Sequence, residues 1–156
     1  MSIDNVKKYL YQFGRDKDIL EFPVSSATVS LAAEALNVIP ARITKTLALK
    51  DGESCIVIAV AGDGKIDNRK FKDEFGFKAK MLTPEETLDL TGHAVGGVCP
   101  FALPENIKTY CDISLKRFES VFPACGSSNS AIKLTCDELF EYSKAIKWIN
   151  ICKDWE

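Results

Sequence analysis

Seven apolar residues stand in a row from Cys55 to Ala61, and this run constrains the fold more than any other part of the chain. It is far short of the ~20 residues that cross a bilayer. Its β-branched Ile56, Val57, Ile58 and Val60 suit a strand covered on both faces. The segment before it, Ile43-Thr44-Lys45-Thr46-Leu47-Ala48-Leu49-Lys50, alternates in character and ends at Asp51-Gly52, a tight-turn signal. The two segments read as a hairpin at the centre of a sheet. A strand with no polar face needs a neighbour at each edge and a layer on each side, and the remaining elements must supply both.

Those elements are legible by their punctuation. Ser2 reads as a helix cap, followed by Ile3, Val6, Leu10 and Phe13 at helical spacing and by Gly14 as the stop. Residues 19–22 suit a short strand ending at Pro23, and Thr28 to Leu36 an alanine-rich helix. Gly62-Asp63-Gly64 closes the hairpin, and a helix follows from Asn68 to Phe75. Thr83-Pro84-Glu85-Glu86 combines a capping Thr, a first-turn Pro and a Glu at the third position, so a helix starts there and ends near Gly92. Strands are expected over 108–113, 120–123 and 131–134, with a turn at Gly126-Ser127-Ser128-Asn129. A helix over 137–144 and a strand over 146–151 close the chain. Helices and hairpins in mixed order imply a single α+β domain over residues 1–156, with a mixed β-sheet of about six or seven strands surrounded by helices.

Composition narrows the function. Hydrophobic residues make up 46% and charged residues 27%, as in ordinary soluble globular domains. The opening Met1-Ser2-Ile3-Asp4-Asn5 lacks the basic start and apolar run of a secretory leader, which implies a cytoplasmic protein. The six cysteines form no CxxC pair and have no histidine at zinc-finger spacing, so they are expected as reduced, buried thiols. A net charge of −2 excludes a protein that coats long stretches of nucleic-acid phosphate, but not one that grips a single RNA end through a local basic patch. Lys65, Arg69, Lys70, Lys72, Lys78 and Lys80 face only Asp67, Asp73 and Glu74 in one such stretch. Its plain reading is a solvated helix face with flanking loops.

Three features could carry chemistry. Lys45 is a lone cation in the middle of an apolar strand, sharing a face with Ile43 and Leu47. Burying an ammonium costs several kcal/mol unless an anion meets it. Two readings are open: an edge strand from which Lys45 snorkels to water, or a cleft where it meets a phosphate. The stretch Gly92-His93-Ala94-Val95-Gly96-Gly97-Val98-Cys99-Pro100 is either a bare turn or a cradle of N–H groups for a carbonyl or oxyanion. His93, the sole histidine, is either structural or catalytic. No GxSxG elbow, Walker loop, HExxH or dinucleotide fingerprint is present, so hydrolysis would lean on backbone donors, a lysine and the substrate's own groups.

In these segments the chain resembles the YbaK / prolyl-tRNA synthetase associated domain family of tRNA-editing domains. The resemblance rests on Thr28-Val29 leading into Ala32-Ala33-Glu34-Ala35-Leu36-Asn37-Val38, and on Ile43-Thr44-Lys45-Thr46-Leu47 with the family's signature lysine. Gly96-Gly97-Val98-Cys99-Pro100 fits the family's GxxxP loop, and Val121 to Leu134 around Gly126 fits a strand–turn–strand. The resemblance implies an aminoacyl-tRNA deacylase that hydrolyses the ester of a mischarged tRNA in trans, a Cys-tRNA(Pro)-like substrate or one with another small amino acid. It implies Lys45 and Gly97 as catalytic groups, Lys45 on the phosphate or ribose of the terminal adenosine and the amides of Gly96 and Gly97 on the ester carbonyl. Thr46, His93, Gly96, Pro100, Gly126 and Ser127 would contact substrate. No metal or organic cofactor is expected. The implied partners are the tRNA acceptor end and an aminoacyl-tRNA synthetase, with no membrane and no DNA. Cys99 and Phe101-Ala102 depart from the family's loop, as the polar turn 126–129 does, and both segments are expected to line the amino-acid pocket. Two rivals stand beside this reading: an adaptor that binds a tRNA end or a synthetase without hydrolysis, and a redox protein using Cys99.

Overall fold

The apolar run lies where its chemistry requires. The computed structural model describes residues 2–155; Met1 and Glu156, which bound the expected domain, lie outside the described residues. Its elements are α1 (Ser2–Tyr11), β1 (Leu20–Glu21), α2 (Val29–Leu36), β2 (Ile43–Asp51), β3 (Ser54–Ala61), β4 (Lys65–Ile66), α3 (Asn68–Phe75), α4 (Pro84–Thr91), β5 (Lys108–Asp112), β6 (Ser120–Pro123), β7 (Ser130–Ala131), β8 (Leu134–Thr135), α5 (Cys136–Tyr142), β9 (Trp148–Ile149) and β10 (Cys152–Lys153). The main sheet has six strands in the order β8-β6-β2-β3-β5-β9. The hairpin β2–β3 is antiparallel and central, with Thr44 opposite Ala61 and Asp51 opposite Ser54. β6 joins β2, β5 joins β3 and β9 joins β5 in parallel, whereas β8 is antiparallel to β6. The result is a mixed α+β sheet, as expected.

Every side chain from Cys55 to Ala61 is buried. On one face Leu49, Ile56, Ile58 and Val60 pack with Phe71 of α3. On the other, Ala59 and Ala61 join Val6 and Leu10 of α1, Leu139 of α5 and the buried Phe101. Burial of such side chains contributes roughly 25 cal/mol per Å² of apolar surface, which fixes the layers on both sides of the hairpin.

Two expected strands are divided in the structure. Residues 131–134 split into β7, paired with β1, and β8, paired with β6. Between them the Ile132 amide donates to the Pro123 carbonyl at 3.0 Å. The closing strand over 146–151 likewise splits into β9 on the main sheet and β10, which pairs with β4. At that bend a buried Asp112 carboxylate accepts the Ile151 amide at 2.8 Å. No helix among the described residues is long and apolar enough to cross a membrane.

Candidate functional site

Strand β2 is paired with β3 along its length, but its other edge changes partner. β6 takes Ile43 and Thr44. Further on, residues 80–82 take over: the Lys50 amide donates to the Lys80 carbonyl at 2.8 Å and the Leu82 amide to the Ala48 carbonyl at 3.3 Å. Between these partners the edge is open. Backbone groups of alternate residues point to the same edge, so Thr46 aims its N–H and C=O into the gap. A cavity of about 350 Å³ opens there, in the size range of small-molecule sites.

Helix starts hold its walls. Thr28 caps α2 by accepting the Leu31 amide at 3.1 Å. α4 opens with a capping box between Thr83 and Glu86, and Glu86 also pairs with Lys50 of β2 at 2.9 Å. Val29 and Ala32 of α2, Thr87 of α4 and Phe122 of β6 then face the hollow, with Val95 and Gly96 from the glycine loop. Val95 and Met81, 63% and 55% exposed, form its apolar mouth.

Lys45 lines this cavity and is half-buried. Its Nζ donates to the Gly64 carbonyl at 2.7 Å, which leaves two further N–H groups. Burial pushes the ammonium below its ordinary value, Asp63 opposes the fall and Lys65 adds to it. Asp63 is itself gripped by both terminal nitrogens of Arg117, at 3.0 and 2.6 Å. Among the described residues no carboxylate lies within 4.0 Å of Lys45. It is also the sole titratable side chain among the described residues that line the cavity. Thr44 and Thr46, also in its lining, carry buried hydroxyls with no hydrogen-bond partner among the described residues. Such orphaned groups are few in native proteins and call for a reason.

The glycine loop is fixed by close approach. Gly97 lies so near the turn at Gly126 that a Cβ would sit 2.8 Å from the Gly126 carbonyl carbon. Gly126, at φ +92°, in turn lies against Ser2. The Gly97 amide donates to Ala94 O at 2.9 Å within the loop, whereas among the described residues no acceptor takes the amide of Gly96. Gly96, at φ +95°, packs against Ala27 and lines the cavity.

His93 clamps the base of this loop. It is buried, and its Nε2 lies 2.8 Å from the Phe101 carbonyl. A carbonyl only accepts, so Nε2 carries the proton and Nδ1 accepts from the Ser2 hydroxyl. Burial holds its pKa below the ordinary 6.5, although the bond to Phe101 opposes this. The structure therefore brings Lys45, Thr46 and Gly96 together at the cavity. It places Gly97, Gly126 and Ser127 in contact behind the wall, His93 in the core and Pro100 beside a second hollow. Cys99 and Phe101, expected in the amino-acid pocket, are fully buried in the core because the loop folds inward there. Burial pushes the Cys99 thiol up to about 12, which removes the thiolate a redox role needs. Sequence reasoning missed Thr44 and Met81. A repeated Thr at positions 44 and 46 in an otherwise apolar strand was the available signal for Thr44; Met81 had none.

Comparison with known proteins bears on the family and the fold. The family described as aminoacyl-tRNA editing domain matches residues 24–142. The chain is 53% identical over 157 residues to a protein of Bacillus subtilis (strain 168) carried as uncharacterized protein YwhH, with 100% of each covered. It is 32% identical over 90 residues to the proline–tRNA ligase of Aquifex aeolicus (strain VF5), covering 56% of this chain and 16% of the ligase. A crystal structure assigned provisionally as a trans-editing enzyme for prolyl tRNA synthetase superposes with a TM-score of 0.87 at 27% identity, covering 97% of each chain.

Proposed function

We propose, because this chain belongs to the aminoacyl-tRNA editing domain family, that it hydrolyses in trans the ester joining a small amino acid to the 3′-terminal adenosine of tRNA. The observation that carries this reading is the half-buried Lys45, a cation without a carboxylate partner among the described residues and the sole titratable group of the cavity lining. A ligand bearing a phosphate at one end supplies the missing anion. Charge-assisted hydrogen bonds of that kind contribute about 1.5–3 kcal/mol. The rest of the lining suits a small, largely apolar aminoacyl group, with Thr44 and Thr46 available for its polar atoms.

The chemistry balances without a protein nucleophile. Water adds to the ester carbonyl carbon, the bond from that carbon to the ribose oxygen breaks, and the ribose oxygen leaves with a proton. No carboxylate, histidine or thiol lines the cavity among the described residues, so the substrate's own amine or ribose hydroxyl takes the proton from water. The Gly96 amide, which no acceptor takes among the described residues, supports a role on the developing oxyanion. The Gly97 amide is engaged inside the loop, and Gly97 acts by letting the loop approach Gly126. Similarity to proline–tRNA ligases favours a tRNA(Pro) carrying the wrong amino acid, with the synthetase as a second partner.

One deacylation panel tests the proposal. Ala-, Cys-, Ser-, Thr- and Pro-charged tRNAs are each incubated with the protein. The expected result is that at least one ester is cleaved well above its spontaneous rate. Binding of every charged tRNA with all esters left intact would replace the hydrolase by the adaptor.

A further inference from the structure

We propose that an open groove between α3 and residues 78–79 binds the phosphodiesters of the nucleotides just before the 3′-terminal adenosine; this deepens the editing reading and rests on it. The groove encloses about 500 Å³ and is lined by Arg69 and Lys72 of α3, by Lys78, and by Asn68 and Ala79. All three cations are exposed. No acidic side chain lines the groove, and among the described residues none of the three cations has a carboxylate within 4.0 Å.

Packing fixes this face. Arg69 and Lys72 are three apart and share one side of α3. Phe71 is fully buried against the sheet, its ring 4.7 Å from that of Phe75, so the helix cannot roll its basic side elsewhere. The Phe77 ring meets Phe71 edge-on at 5.7 Å and anchors the chain just before Lys78. Of the nearby acids, exposed Asp73 lines neither groove nor cavity and has no cation within 4.0 Å among the described residues, and the other two are occupied elsewhere. Asp67 caps α3 by accepting the amides of Arg69 and Lys70, each at 3.0 Å, and Glu74 pairs with Lys147 at 2.8 Å.

The groove and the cavity meet the same short segment of chain. Ala79 lines one and Met81 the other, and two residues span at most ~7 Å. Met81 is held opposite Leu49 of β2, so the connection is part of the sheet edge. A strand whose last nucleotide enters the cavity therefore lays its preceding phosphates along Lys78, Lys72 and Arg69. In a chain of net charge −2 this local segregation permits binding to one RNA end without general affinity for nucleic acid.

The test uses uncharged RNA, so its outcome is independent of hydrolysis. An RNA hairpin with a single-stranded 3′ CCA tail, and the same hairpin blunt, are titrated by fluorescence anisotropy over a range of salt. The proteins are wild type, the variant Arg69→Ala/Lys72→Ala/Lys78→Ala, and a variant of equal charge, Lys8→Ala/Lys17→Ala/Lys133→Ala, whose sites line neither groove nor cavity. At about 0.1 M salt the groove variant should bind the tailed hairpin ~10–100-fold more weakly, with a salt slope shallower by about two. On the blunt hairpin it should match wild type, and the charge control should match wild type throughout. Undiminished binding by the groove variant, an equal loss in the charge control, or a loss that persists on the blunt hairpin would each overturn the proposal. A protein that needs the groove for the tail yet cleaves no ester would overturn only the hydrolase.

Discussion

His93 and Lys45 answer differently to the same desolvation. His93 is satisfied as a neutral ring between Ser2 and Phe101, and its folded pKa lies below 6.5. The unfolded chain therefore takes up this proton first as pH falls. Its stabilising contribution is complete above pH 6.5 and is lost as pH falls below that value. Thermal unfolding of wild type should weaken through this range, and His93→Gln should flatten that part of the profile; parallel profiles would contradict the assignment. Lys45 instead rests its ammonium on the Gly64 carbonyl, with no carboxylate within 4.0 Å among the described residues, which is the arrangement the proposed phosphate contact would complete. A cation among Ile43, Leu47 and Leu49 was legible in the sequence. The histidine was not, since its two partners come from α1 and from beyond the loop.

At the scale of elements, the glycine loop and the turn at Gly126 act as one wall. Gly97→Ala places a methyl 2.8 Å from backbone that cannot swing aside. The expected cost is about 1–3 kcal/mol of unfolding free energy, with a larger loss of deacylation as the cavity wall shifts. Gly14→Ala meets nothing within 4 Å and carries only the strain of φ +71°, so it should cost less and leave the catalytic rate unchanged. Chemical denaturation with single-turnover assays separates the two. The hairpin, the Thr83–Glu86 capping box and the Gly92 stop were readable because turn and cap residues act locally. The divisions of 131–134 and 146–151 were not, because a two-residue strand has no periodicity and its partner is chosen by tertiary packing. For the same reason the open edge of β2, and with it the cavity, could not be placed from the sequence.

For the molecule as a whole, the thiols and the charges are sorted by the fold. All six cysteines are free and five are buried. Burial pushes Cys99, Cys111 and Cys152 up to about 12, with Cys136 the least enclosed. The native protein at neutral pH should consume a thiol reagent only slowly and first at Cys136, and all six should react once it is unfolded. Rapid modification of Cys99 in the native state would revive a redox role. The scatter of the cysteines and the basic run over 65–80 were visible in the sequence; their burial and their groove required the sheet. The account is tested most directly by comparing wild type with Lys45→Met on the ester that the protein cleaves fastest. Hydrolysis should fall at least ~10–100-fold, the loss of one charge-assisted contact, while the unfolding temperature stays level or rises because a half-buried ammonium has gone. Equal hydrolysis rates for the two proteins would contradict the central claim.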